Sequence, residues 1–233
     1  MPFYVIDLNT WKRRAYYEHY MNTVRCTYSV TINIEVEELV KKIKTLGLKT
    51  YPVQIYMLSK IVNEFQEFRM AINSHGNLGW WDTTNPSYAI FNKTTKTFSS
   101  VYTPFNQDFP TFYDSCIKDI EAFGDSEVLF PQSDVPENVF TISSLPWVSF
   151  TGFNLNAYGE GTYLPPIFTI GRYFEQSGKK YMPLAVQAHH AVCDGYHVGK
   201  YAEALQDMAI DLSSWLSGRG TARASQGTPR TRQ

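Results

Sequence analysis

Nine residues near the start of the chain constrain its fold more than any others. From Cys26 to Ile34 the side chains alternate without a break. Cys26, Tyr28, Val30, Ile32 and Ile34 fall on one side, and Thr27, Ser29, Thr31 and Asn33 on the other. A period of two sends successive side chains to opposite faces of a strand, so the segment predicts a β-strand with two chemically distinct faces.

Around it, strand and helix patterns follow one another. Trp11 to Tyr20, after Asn9-Thr10, reads as a short helix. Glu35 to Leu46 carries Leu39, Val40, Ile43 and Leu46 at helical spacing, and Gly47 suits a C-cap. Pro52 can open a second helix running to about Phe65. Strands are predicted at Tyr88 to Asn92 and Thr95 to Tyr102, then a helix from Phe109 to Phe123 with Phe112, Cys116, Ile120 and Phe123 on one side. Further strands are predicted near Asn138 to Ser143, Trp147 to Phe150, Ile167 to Tyr173 and Lys180 to Ala188. A last helix spans Tyr196 to Leu216. Several strands are consecutive, which favours a mixed or largely antiparallel sheet with helices on one side over a Rossmann order. No GxGxxG or Walker sequence is present to cradle a phosphate.

Composition bounds the function. Of 233 residues, 43% are hydrophobic and 18% charged, which excludes a disordered chain. Aromatics reach 15%, enough for a flat-walled pocket or a large interface. A net charge of −1 gives nucleic-acid binding no electrostatic support. No apolar run approaches the roughly 18 residues of a membrane span, and the N-terminus lacks a signal-peptide pattern. Cys26, Cys116 and Cys193 have no metal-like spacing, and an odd count argues against a disulfide scaffold. A cytoplasmic protein with no metal or prosthetic group is expected.

Residues 217–233 differ from the rest, with four Arg, three Gly, no acid and no large apolar side chain. Taking these four from the 21 basic residues leaves 17 against 22 acidic ones. Such a segment cannot bury a core. It is expected to be a disordered basic tail, native or vector-derived, following one domain over residues 1–216.

The chemistry concentrates in Gln187 to His197, where three of the five histidines lie within nine residues between a strand and a helix. Histidine takes up and returns a proton near neutral pH. Three readings compete: a metal site from His189, His190, Asp194 or His197; a buried turn with satisfied histidines; and a general base in acyl transfer. The spacing is not that of HExxH, which disfavours the metal. Gly195 is expected to permit a tight turn before the helix.

His189-His190 with Asp194-Gly195 matches HHxxxDG, the signature of coenzyme-A-dependent acyltransferases. The surrounding segments QAHHAVCDGYHV, SSLPWVSFTGFNLN, YPVQIY, EFRMAI and TWKRRAYYEHY closely resemble those of chloramphenicol acetyltransferases of the trimeric type. The resemblance runs through residues 1–216.

This resemblance implies an α/β two-layer sandwich that assembles as a homotrimer with active sites between subunits. It implies acetyl transfer from acetyl-coenzyme A to the primary 3-hydroxyl of chloramphenicol in a ternary complex, conferring resistance. The alternative is the same fold acting on another hydroxyl or thiol. By the resemblance His190 is the general base and Ser143 donates to the tetrahedral oxyanion. Sequence reasoning alone does not separate Ser143 from Ser144. A Ser-His-Asp hydrolase lacks its GxSxG elbow here. Asp194 pairs with Arg13 rather than serving as a triad acid. The implied drug pocket is Tyr20, Cys26, Tyr28, Phe98, Phe130, Phe153, Leu155, Ile167 and Thr169, with Trp147 and Tyr173 beside the coenzyme channel. His189, His197 and Cys193 are expected to pack and hydrogen-bond. Tyr196 stands where many members have Phe, and its hydroxyl would need a partner if buried.

Overall fold

A computed structural model of the chain describes residues 1–155 and 162–216. The basic tail lies outside the described residues. In chain order the elements are β1 (Phe3–Val5), α1 (Arg14–Glu18), a π-helical turn (His19–Thr23), β2 (Thr27–Glu35), α2 (Glu37–Thr45), α3 (Thr50–Val62) and a 3₁₀ turn (Gln66–Arg69). Then come β3 (Met70–Ile72), β4 (Leu78–Trp81), β5 (Asn85–Phe91), β6 (Phe98–Tyr102), α4 (Phe109–Phe123), β7 (Val139–Leu145), β8 (Ile167–Gly171), β9 (Phe174–Gln176), β10 (Lys179–His189), α5 (Gly195–Ile210) and α6 (Ser213–Leu216).

The main sheet is mixed, in the order β2-β10-β8-β7-β5-β6, with β9 pairing β10 at one end. The β5–β7 and β7–β8 pairs are parallel and the others antiparallel. Its register assigns the faces. Ile142, Phe168, Val186 and Val30 pair across four strands, and this row faces the helices. There Phe168 stacks on Tyr201 of α5, centroids 5.1 Å apart. The Tyr201 hydroxyl donates to Leu58 O of α3 at 3.2 Å, tying the two helices together. The neighbouring row, Ser143, Thr169, Ala185 and Thr31, faces the other way. That face is small and polar. Among the described residues it is covered near β2 by the segment around Phe153, whose N–H donates to Thr31 Oγ1, while Ser29 Oγ donates to Asn154 Oδ1.

The local chemistry accounts for most element ends. Asp108 caps α4 by accepting from Thr111 N–H at 3.0 Å, and Pro110 sits in the first turn. Gly47, at φ +63°, closes α2: its N–H donates to Lys44 O and that of Leu48 to Ile43 O.

Four expectations need correction. Trp147 to Phe150 is not a strand: Pro146 lacks an N–H for the ladder, and a turn follows in which Val148 N–H returns to Leu145 O. Only Arg14–Glu18 of the predicted first helix is α-helical, and the chain continues as a π-turn through Thr23. The last helix breaks at Asp211, where ψ is 77°. The break lets Trp215 of α6 fold back onto Tyr56, with its indole N–H on Met208 O. A small sheet, β1-β4-β3, went unpredicted. Its strands are too short to show a period.

Candidate active site

Strand β10 delivers the paired histidines to the edge of the sheet, next to the start of β2. His190 N–H donates to Cys26 O at 2.9 Å, which pins the turn after β10. His189 is buried, its Nδ1 accepting from Ala191 N–H at 3.2 Å. Asp194 then stands at the N-cap of α5. Its N–H donates to His197 Nδ1 at 2.9 Å, and His197 Nε2 faces Glu67 Oε1 at 3.6 Å. Gly195 is the first residue of α5, without a positive φ, and a methyl group in place of its hydrogen would meet nothing within 4 Å. The tight turn before the helix is formed at His190–Val192, and the backbone at position 195 does not require glycine.

Arg13 reaches this loop across the chain and grips Asp194 with both Nη atoms, at 2.5 and 3.0 Å. Arg13 holds the Asp194 carboxyl below its ordinary range, chiefly through that hydrogen bond, against the opposing effect of burial. The Arg13 guanidinium is raised for the same reason.

The imidazole of His190 sits in an aromatic clamp. Tyr20, presented by the π-turn, stacks on it at 4.2 Å with planes 9° apart. Tyr28 of β2 meets it at 5.2 Å, tilted by 54°. The Tyr28 hydroxyl donates to Cys193 O at 3.1 Å, and burial pushes its pKa upward. His190 Nδ1 lies 3.1 Å from Asp194 Oδ1, but too obliquely for a hydrogen bond. The ring is 32% exposed, with Nε2 free of hydrogen bonds among the described residues. Cys193 is buried, and burial pushes its thiol up to about 12, far from a reactive thiolate. Tyr196 is exposed, so its hydroxyl needs no protein partner.

A second group lies elsewhere. A cleft of about 740 Å³ opens between the ends of β5 to β8 and the start of α3. Its walls include Tyr51, Phe91, Phe98, Ser143, Trp147 and Tyr173. Phe91 meets Trp147 edge-on at 4.8 Å. Thr169 pairs with Ser143 in register and is buried. Ser143 shares its sheet face, whereas Ser144 pairs with Ile170 on the helix-facing side.

The predicted residues therefore divide. Arg13, Tyr20, Cys26, Tyr28, His190 and Asp194 gather at the end of β10. Phe98, Ser143, Trp147 and Tyr173 line the cleft, which His190 does not touch. The remaining pocket residues join neither group: Phe130 and Leu155 are exposed, Phe153 packs on Phe150, and Ile167 is buried at the start of β8. Ala185 lies in the Ser143 row, four residues before the end of β10. By ordinary strand spacings His189, the last residue of β10, is thus about 13 Å along and about 10 Å across the sheet from Ser143, and His190 lies one residue beyond it. One chain cannot bring them to the same atom.

Sequence reasoning missed Gln54, which also lines the cleft. The signal was available: α3 is buried all round, and a glutamine in such a helix needs a partner.

Among the described residues no group of three His, Cys, Asp or Glu is placed to hold a metal. No described helix is long and apolar enough to cross a membrane.

The fold and the HHxxxDG loop together define the acyltransferase class. A solved chloramphenicol acetyltransferase superposes with a TM-score of 0.82 at 22% identity, covering 89% of this chain and 100% of that one. The dihydrolipoamide acetyltransferase of Azotobacter vinelandii shares the fold at a TM-score of 0.62 and 15% identity, with 82% and 84% covered. The family profile for chloramphenicol acetyltransferase matches residues 1–206. A chloramphenicol acetyltransferase of Clostridium butyricum is 48% identical over 94% of this chain and 100% of its own length. One from Staphylococcus aureus is 42% identical over 93% and 100%. The chain belongs to the chloramphenicol acetyltransferase family.

Proposed function

We propose that this chain transfers the acetyl group of acetyl-coenzyme A to the primary 3-hydroxyl of chloramphenicol, conferring resistance. His190 Nε2 takes the hydroxyl proton as the oxygen attacks the thioester carbonyl. The resulting oxyanion accepts a hydrogen bond from Ser143. Its collapse breaks the C–S bond, and the imidazolium returns the proton to the leaving thiolate. An unactivated alcohol needs such a base, worth about 10²–10⁴-fold in rate. The Arg13–Asp194 pair and the Tyr20 stack hold the imidazole in place.

The observation that carries this reading is the division of the site. The base lies at one edge of the sheet and the acyl cleft lies two strands away, so each is half of a site. In a closed homotrimer, every subunit presents its His190 edge to the Ser143 cleft of the next. The small, polar sheet face opposite the helices suits such a contact. Apolar walls in the cleft, with few polar groups, suit the drug's aromatic ring and the coenzyme's pantetheine arm. Residues 1–216 act as one domain, and three unpaired cysteines suit the reducing cytoplasm.

Release of thiol from acetyl-coenzyme A is the test. Release that depends on chloramphenicol, and that falls by at least about 10²-fold in His190→Ala with assembly intact, is the expected result. No drug-dependent release from a folded trimer would overturn the substrate assignment.

A further inference from the structure

The cleft contains a hydrogen bond whose direction can be read from its surroundings. Gln54 of α3 is buried, and its Nε2 lies 2.8 Å from the Tyr173 hydroxyl and 3.4 Å from Met182 Sδ. A thioether has no proton to donate. Turning the Gln54 amide over would set its oxygen against that sulfur with nothing to accept. Met182 therefore fixes the amide with its NH₂ toward both neighbours. Tyr173 accepts from Gln54, and its own hydrogen remains available. Tyr173 and Gln54 both line the cleft.

We propose that Gln54 is a positioning residue that keeps the Tyr173 hydroxyl a donor into the cleft, toward a carbonyl oxygen of the acyl donor. Burial pushes the Tyr173 phenol up to about 12, so it carries its proton throughout the working range. A phenol free to rotate could spend that proton on a protein acceptor. With one lone pair held by Gln54, the proton is directed to the open side. The inference rests on the acyl donor occupying this cleft.

The test is a double-mutant cycle read by two measurements, the KM for acetyl-coenzyme A and the equilibrium Kd for coenzyme A. Gln54→Glu replaces the amide donor by a carboxylate, which draws in the Tyr173 proton. It is expected to raise both constants about five- to tenfold, the factor for one ordinary hydrogen bond. Gln54→Met removes the constraint without reversing it and is expected to raise them about threefold. Tyr173→Phe matches the effect of Gln54→Glu, and Gln54→Glu in the Tyr173→Phe background adds nothing further. The KM for chloramphenicol stays within about twofold throughout.

An equal effect of Gln54→Glu in both backgrounds would overturn the proposal, as would unchanged constants in Gln54→Glu and Gln54→Met. If Tyr173→Phe leaves the coenzyme A Kd unaltered, the donor does not meet Tyr173 and the proposal falls, whatever the enzyme acetylates. If the couplings appear in Kd but chloramphenicol is not acetylated, the positioning role stands and the acceptor assignment fails.

Discussion

The Tyr20 ring lies flat on the imidazole of His190, 4.2 Å between centroids and 9° between planes. The stack sets the tilt of the imidazole, the proposed base, before any substrate arrives, and Tyr28 meets the same ring at 5.2 Å. Tyr20→Phe keeps the stacking surface and should hold kcat within about twofold. Tyr20→Ala frees the ring and should lower kcat about three- to tenfold, the value of an aromatic pair. Steady-state kinetics separates the two. Equal losses in both variants would show that the hydroxyl matters instead of the stack.

The Arg13–Asp194 pair makes a prediction about stability. Asp194→Ala leaves Arg13 without its carboxylate, and Arg13 Nε is already buried without a hydrogen-bond partner. The loss should be about 2–3 kcal/mol, below the roughly 3–5 of a fully buried pair, because both side chains reach some water. Denaturant unfolding measures it.

The same pair predicts a pH dependence. Asp194 is depressed by the hydrogen bond from Arg13, so the unfolded state binds more protons at mildly acid pH. The contribution is complete above the unfolded carboxylate value of about 4 and is lost as pH falls through the folded one. The stability gap between wild type and Asp194→Ala should be widest near neutrality, should begin to shrink below about pH 4 and should close only below the depressed folded value. A gap that does not shrink at all as pH falls from 7 through the acid range would contradict the charge-pair account.

The three thiols should separate by reactivity. Burial pushes Cys116 and Cys193 up to about 12, which leaves only about one thiolate in ten thousand at pH 8. Cys26 is half-buried. Brief maleimide treatment of the native protein should label Cys26 alone, and denatured protein should label at all three. Native labelling of Cys193, read by mass spectrometry, would refute its burial in the turn after β10.

For the oxyanion, the register favours Ser143, which shares its sheet face with Thr169, over Ser144, which pairs with Ile170. Ser143→Ala should reduce kcat about 10²–10³-fold with little change in the KM for chloramphenicol. Ser144→Ala should cost far less. The reverse order would move the donor one residue along β7.

Much of the scaffold was legible because its signals are local. The alternation over Cys26 to Ile34 marked β2, and the stripe from Phe112 to Phe123 with Gly124 beyond it marked α4. The paired-histidine loop was equally visible, since its residues are neighbours in sequence. What failed was either short or distant. β1, β3 and β4 span three or four residues each. β1 meets β4 at Gly79, where a Cβ would clash with Tyr4 O, a constraint with no periodic trace. Arg13 is 181 residues from Asp194, and only resemblance joined them. That His190 and Ser143 lie apart depends on the register of β7, β8 and β10, which no sequence pattern records.

Reassembly of mixed subunits tests the proposed trimer and its shared site most directly. His190→Ala and Ser143→Ala subunits, each nearly inactive alone, are denatured together in equal amounts and reassembled. If every site takes His190 from one subunit and Ser143 from the next, random mixing in a three-membered ring restores about a quarter of wild-type activity. If both residues act within one chain, no mixture contains an intact site. Activity that stays at the level of the separate variants, in trimers shown to be mixed, would contradict the account.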